Sequence, residues 1–301
     1  MLLYARLRFR AQWLEEERRI RSPLHWRDDL EMALKKVACI LPRQECGECF
    51  LLQKCIYTGL FKPDLRGVQG DWGGTQIPLP FSLLLPQQSN GSGKFELELT
   101  LLDPWVDRLP YWLFALNLMG KNKAHPFKII LGEEWTGKEW KAFYDGEQDA
   151  LERAVLPRRP EPLVLKGVTK LRWIRPGRIF SLGRPQTKLS FRGLVEALCR
   201  RAKLLDKYYG KGEPLSFQGL LEMASKVASD SLGLRWVERH HCSRRQNTTV
   251  ALSGLLGEML LEGDLQPFGE LLALGRDLGV GKGTALGLGR YEIISAEGQH
   301  M

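Results

Sequence analysis

Two long stretches of the chain, Leu2–Leu131 and Val168–Ile294, run through the same series of residue patterns, and that repetition restricts the fold more than any single motif. Each begins with alternation: Leu2–Phe9 sets apolar against basic residues by turns, and Val168–Ile174 does likewise. Alternation of this kind fits a strand with one buried face. Each continues with apolar residues at helical spacing. Leu30, Ala33, Leu34, Val37 and Leu41 mark an amphipathic helix over 25–40, opened by Ser22-Pro23 and ended by Pro42. Phe191, Leu194, Val195, Leu198, Ala202 and Leu205 line a longer counterpart, with Arg192, Arg200, Lys203 and Lys207 on its other faces. In the first half, strands are expected near Ile77–Leu85, at Phe95–Leu101 and at Phe127–Leu131, with a short apolar helix at Leu109–Leu118. In the second half they are expected at Arg178–Leu182, Thr248–Leu252, Glu258–Leu261 and Tyr291–Ile294, with a helix at Pro267–Leu274. The series is that of a βαββαβ unit, so the chain is expected to be α+β, with two tandem ferredoxin-like (RRM/RAMP-type) domains. Each would be a sheet with helices on one face, a layout shared with RNA-recognition folds. Three prolines within Pro157–Pro162 mark the boundary, giving domains over 1–156 and 163–301.

The second copy keeps the more distinctive ending. Gly279, Gly281, Gly283, Gly287 and Gly289 fall within eleven positions, and Lys282 and Arg290 are the charged residues among them. Glycine permits φ > 0 and close approach of the backbone to a ligand, so this basic turn suits laying N–H groups against phosphates. It is not a mononucleotide loop. A Walker motif would need glycine where Arg276 stands and Ser or Thr where Gly283 stands. A dinucleotide fingerprint would need glycine in place of Thr284. The loop also joins a helix to a strand, whereas both motifs join a strand to a helix. A plain connector is the alternative.

Charge narrows the ligand. Residues 157–245 hold 20 Lys/Arg against 7 Asp/Glu, a surplus larger than the net +9 of the whole chain. Such a block favours a polyanion, and nucleic acid ahead of a membrane, because no basic amphipathic membrane helix stands out. No apolar run approaches the ~18 residues of a membrane span, and the N-terminus lacks the pattern of a signal peptide, so a cytoplasmic protein is expected.

Four of the six cysteines, Cys39, Cys46, Cys49 and Cys55, fall within seventeen residues. Two thiolates across a two-residue gap can share a tetrahedral metal that the outer pair completes. Structural zinc is the default, an iron–sulfur cluster uses the same ligands, and unligated buried thiols are the alternative. Cys199 and Cys242 stand apart and read as core residues.

Four segments together resemble a known family. Leu278–Gly289 (LGVGKGTALGLG), followed by Arg-Tyr-Glu-Ile, is similar to the closing glycine-rich loop and last strand of the CRISPR-associated endoribonucleases that process precursor CRISPR RNA, in the RAMP superfamily. His241–Gln246 (HCSRRQ), with Trp236 before it, resembles an Arg-Tyr-Ser-x-Arg-Gln block of that family. Gly254–Gly263 into Pro267-Phe268 resembles the strand and helix that precede the loop, and Cys46–Phe61 resembles the cysteine segment of one subgroup. The resemblance implies two RAMP-type domains that bind CRISPR repeat RNA. It also implies cleavage without a catalytic metal, in which a ribose 2′-hydroxyl attacks the adjacent phosphate and leaves a 2′,3′-cyclic phosphate. A catalytically inactive RNA-binding subunit of a CRISPR effector complex, in contact with its other subunits, is the alternative within the family.

This chemistry asks for a proton acceptor, a proton donor and a cation at the phosphate. Histidine suits the first two because it titrates near neutral pH. In the family the catalytic histidine commonly lies on or near the first helix, which points to His25; His240 and His241, beside the Ser-Arg-Arg-Gln block, are the other paired candidates. His125 lies in the loop of the first unit, and His300 in the terminal tail. The expected RNA contacts are Gly279, Gly281, Lys282, Gly283, Gly287, Gly289, Arg290, Arg244, Arg245 and Arg27. Three features depart from the family's pattern. Aligning Trp26–Leu34 on its first-helix sequence puts Met32 where some members carry histidine, Asp28 and Asp29 add negative charge there, and the glycine loop of the first unit is nearly lost.

Overall fold

The computed structural model describes residues 2–15, 23–66, 77–85, 93–122, 125–165, 167–213, 215–243 and 248–295. The chain divides into two compact units, Leu3–Arg158 and Arg159–Met301, the latter also taking in Met1–Leu2.

The first unit is built from β1 (Tyr4–Trp13), α1 (Pro23–Ala38), α2 (Ile56–Phe61), β2 (Phe81–Leu84), β3 (Lys94–Leu102), α3 (Leu109–Gly120), β4 (Phe127–Trp135), β5 (Trp140–Asp145) and β6 (Ala150–Leu151). Its antiparallel sheet runs β2-β3-β1-β4-β5-β6. Strand β1 sits inside it because its alternation is strict: Leu7, Phe9, Ala11 and Trp13 are buried, while Arg10 and Gln12 face out. On its polar face Arg8 and Arg10 each reach Glu133 of β4 at 3.0 Å. On the buried face Trp13 stacks on Phe95 at 4.4 Å, and Trp26 of α1 lies 5.5 Å from Phe127. This aromatic cluster fixes α1 to the sheet.

The second unit contains β7 (Thr169–Gly177), β8 (Phe180–Ser181), β9 (Arg184–Pro185), α4 (Phe191–Tyr209), α5 (Leu220–Ala224), β10 (Ala228–Asp230), β11 (Leu234–Val237), β12 (His240–Ser243), β13 (Thr248–Ala251), β14 (Gly254–Glu262), α6 (Gly269–Leu278) and β15 (Tyr291–Ser295). Its main sheet runs β10-β14-β7-β15, with β11 also on β14; β8-β9 and β12-β13 are separate pairs. Helix α4 starts where Ser190 Oγ accepts the Gly193 N–H at 3.2 Å.

Both sheets place the first strand between the third and the last, with the second outermost beyond the third. That is the ferredoxin-like arrangement, twice, in an α+β chain. The elements differ from expectation where local pattern and tertiary pairing disagree. Strand β1 continues to Trp13 because alternation persists past Phe9. The stretch Arg178–Leu182 forms only the short β8, which turns back on β9. Strands β5 and β6 extend the first sheet beyond the repeated series. Among the described residues no helix is long and apolar enough to cross a membrane.

Candidate nucleic-acid interface

Helix α6 ends because Gly279 turns away from helical geometry at φ +74°, its N–H still donating to the Gly275 carbonyl at 2.8 Å. Gly281, Gly283, Gly287 and Gly289 follow, with φ of +84°, +83°, +80° and +72°. A Cβ at 281 would strike the Arg178 carbonyl, and one at 289 the Val280 carbonyl. The loop is therefore wound tightly against itself and the end of β7. Val280 donates to Gly289 at 3.0 Å, Lys282 to Arg178 at 2.9 Å, Leu288 to Gly283 at 3.1 Å and Gly289 to Pro176 at 2.9 Å. These internal bonds engage the N–H groups of Val280, Lys282, Leu288 and Gly289 within the fold. A buried helix-to-strand reversal has to satisfy its own backbone donors, and these glycines permit that. Gly279, Gly287 and Gly289 are buried, while the Lys282 side chain is exposed.

Arg290 turns inward to the end of α6. It is only 3% exposed, and its guanidinium donates to the Asp277 carbonyl in the last turn of α6. Carbonyls there lack helical partners, so a buried cation at this end is a cap rather than an RNA contact. Arg201 of α4 does the same work, donating to the Leu278 carbonyl at 3.1 Å and to Thr284 Oγ1 at 2.8 Å. Burial pushes Arg201 down to about 10.

Lys282, expected from the sequence, is joined at the surface by Arg178 and Phe180, which were not. The Lys282 ammonium lies 4.5 Å from the centre of the Phe180 ring, and the Arg178 guanidinium lies 5.4 Å from the same ring. Arg178 is held there by donating to the Ala251 carbonyl at 2.9 Å. Arg175, also at the end of β7, is pushed down to about 10 by burial and by the charges of Arg239 and Arg290. Two cations against one aromatic ring offer charge and a stacking face together. The sequence does carry a signal for it: the alternation of β7 breaks at Arg175-Pro-Gly-Arg178, where charge accumulates without a buried partner face.

The histidines divide. His25 is half-buried on the first turn of α1. Met32, seven residues on and therefore about 10 Å along the same stripe, is 59% exposed. It opens onto a pocket of about 330 Å³ that is also lined by Asp29, Lys36, Lys121 and His125. His25 is not among the lining residues. His240 and His241 lie on β12, opposite Ala251 and Val250 of β13. Arg244, Arg245 and His300 lie outside the described residues. Arg27 donates to Glu31 at 3.1 Å and packs over Phe61 at 5.6 Å. Glu31, 4% exposed, needs that cation more than a solvated phosphate would.

Residues 162–291 match the family of the CRISPR-associated endoribonuclease Cas6, and residues 3–155 match a family described as an N-terminal domain. The second half of the chain thus carries a Cas6 domain. No curated protein matches it. Thermus thermophilus Cas6 shares the fold with a TM-score of 0.53 at 14% identity, covering 97% of this chain and 98% of its own. The product complex of that protein gives 0.56 at 14% identity, over 96% and 98%. The product of a Cas6-related gene from Pyrococcus furiosus gives 0.53 at 10% identity, over 97% and 99%. At such identities the likeness concerns the fold.

Hydrogen bonds and a short turn order the cysteine segment of the first unit. Cys46 and Cys49 lie on a 3-10 turn, with Cys39 following α1 and Cys55 preceding α2. Tyr57 donates to Glu31 at 2.8 Å, Thr58 Oγ1 lies 2.8 Å from the Leu52 carbonyl, and Arg66 donates to the Cys55 carbonyl. The four thiols are free and half-exposed. Among the described residues no group of three or more His, Cys, Asp or Glu side chains is placed to hold a metal ion. Cys199 is buried on α4, and burial pushes its thiol up to about 11.

Proposed function

We propose that this chain is a CRISPR RNA-processing endoribonuclease that binds repeat RNA and cleaves it by metal-independent attack of a ribose 2′-hydroxyl on the neighbouring phosphate. The observation that carries the reading is the Cas6 match over residues 162–291, the part of the chain that holds Arg175, Arg178, Phe180, Arg239 and Lys282. Those residues supply the charge and the aromatic face that a single-stranded RNA needs. The product complex of Thermus thermophilus Cas6, a structure of the same fold, supports RNA as the partner. Attack by the 2′-hydroxyl needs only proton transfer and charge neutralisation at phosphorus, both within reach of histidine and lysine.

The experiment is incubation of the full chain with the repeat transcript of its own genomic neighbourhood in EDTA. One fragment should end in a 2′,3′-cyclic phosphate and the other begin with a 5′-hydroxyl. Complete dependence on added Mg²⁺ would sink the reading. A second reading, an inactive RNA-binding subunit of an effector complex, is favoured by Met32 at the position where some members carry histidine, with Asp28 and Asp29 on the same helix. Tight repeat binding with no product in any buffer selects it.

A further inference from the structure

The pocket beside Met32 puts an imidazole, two ammonium groups and an aromatic floor in one place. Its base is formed by Trp13, Trp26 and Phe127. These rings are mutually packed, Trp13 and Phe127 at 5.8 Å and Trp26 and Phe127 at 5.5 Å, so the floor is rigid. At about 330 Å³ the pocket has room for one nucleotide. Its titratable and charged lining groups are Asp29 and Lys36 from α1, with Lys121 and His125 from the connection between α3 and β4. Asp29, Met32 and Lys36 share one face of α1 by helical spacing. The apolar floor receives a base, and the lysines balance the charge of its phosphate.

Of these four side chains only the imidazole of His125 is of a type that ordinarily exchanges a proton near neutral pH. The Met32 thioether, at the position aligned with histidine in some relatives, cannot carry a proton. The turn bearing His125 is pinned: the His125 N–H donates to the Asn122 carbonyl at 3.0 Å, and Leu14 donates to the Pro126 carbonyl at 3.0 Å. A proton carrier on a fixed turn facing a nucleotide-sized pocket meets the geometric demand on a general base.

Resting on the endoribonuclease reading above, we infer that His125, rather than a histidine of α1, is the catalytic base of this chain. Its imidazole takes the proton of the 2′-hydroxyl as the O2′–P bond forms and the P–O5′ bond breaks. The departing O5′ takes a proton from water, and the imidazolium later returns its own to solvent. Lys36 and Lys121 stand against the non-bridging oxygens of the phosphate.

The test is single-turnover cleavage of the repeat RNA in EDTA by the full chain and its His125→Ala variant, with RNA affinity and melting temperature measured alongside. The expected result is a loss of about 100-fold or more in rate, with affinity and melting temperature unchanged. Imidazole in the buffer should restore part of the His125→Ala rate, rising with pH as the free imidazole loses its proton, a response that a merely structural residue would not give. A His125→Ala rate within about threefold of the parent overturns the inference and leaves the endoribonuclease reading standing. If His25→Ala stops cleavage while His125→Ala keeps it, the base is on α1 and the inference falls. A parent chain that binds the repeat tightly and never cuts it removes the endoribonuclease reading itself, and this inference with it.

Discussion

Lys282 and Arg175 bring the same charge to the same surface under different conditions, and substitution should separate them. Lys282 is exposed and held only by a ring face, so Lys282→Ala should leave the melting temperature alone. It should weaken repeat binding and lower the slope of log K against log salt by about 0.7 to 1, one phosphate contact. Arg175 is partly buried, and Arg239 and Arg290 press on it, so its charge opposes folding. The sign follows from proton linkage: its folded value of about 10 lies below the usual arginine value of 12.5, so between those pH values the unfolded chain holds the extra proton and stability rises with pH. Arg175→Met should therefore weaken RNA binding while holding or raising the melting temperature. Thermal melts and salt-dependent filter binding read both quantities. A variant that melts several degrees lower with affinity intact would make Arg175 a packing residue. Sequence could name Lys282, because a lysine between glycines has few apolar neighbours. It could not separate Lys282 from Arg290, eight positions on, since only the folded chain shows that Arg290 meets the open end of α6.

Elements with strict periodicity were legible, and those made by tertiary pairing were not. The alternation of β1, β3 and β7 and the apolar stripes of α1 and α4 belong to each segment alone, so they survive without knowledge of neighbours. Strands β5 and β6 exist because β4 offers an edge, and α2 exists because Tyr57 finds Glu31 and Arg66 finds the Cys55 carbonyl. The cysteine spacing fixes distance along the chain, not convergence of sulfurs, and among the described residues no group of three or more such ligands converges. Prolonged dialysis against a chelator should accordingly leave the melting temperature unchanged, and a drop of several degrees with metal in the dialysate would reinstate the four-sulfur site. The glycine loop was legible as an element but its tight winding was not, and a paired substitution measures what that winding is worth. Gly183 and Gly289 have similar φ, +77° and +72°, but a Cβ meets nothing within 4 Å at Gly183 and the Val280 carbonyl at Gly289. Gly183→Ala should cost about 1 kcal/mol of backbone strain. Gly289→Ala should cost about 3 kcal/mol or more, because the clash adds to the strain. Equal costs in urea melts would mean that the loop yields and that its winding is not what the glycines secure.

For the whole molecule, charge segregates between the two units while the pocket is confined to one. The surplus of 20 Lys/Arg over 7 Asp/Glu in residues 157–245 could be counted without any fold, and it falls almost wholly in the unit Arg159–Met301. The pocket could not be read in this way. Trp13, Trp26, Met32, Lys36, Lys121 and His125 come from three separate parts of the first half, and only closure of the sheet under α1 gathers them. Each unit has its own sheet and its own buried aromatic core, Phe9, Trp112 and Phe143 in one and Trp173, Phe191 and Phe268 in the other, so each is expected to fold when expressed alone. Residues 159–301 alone should bind the repeat RNA with a salt slope close to that of the full chain, since the cluster around Phe180 lies within them. Residues 3–158 should bind it weakly, because one or two lysines at a pocket replace a field of cations. Neither piece should cut RNA, since the grip and the proposed base are on different units. The measurement is titration of each folded piece with labelled repeat RNA at several salt concentrations, beside a cleavage assay. Strong binding by 3–158 and none by 159–301 would reduce the basic surplus to a solvated surface and move the RNA onto the first unit.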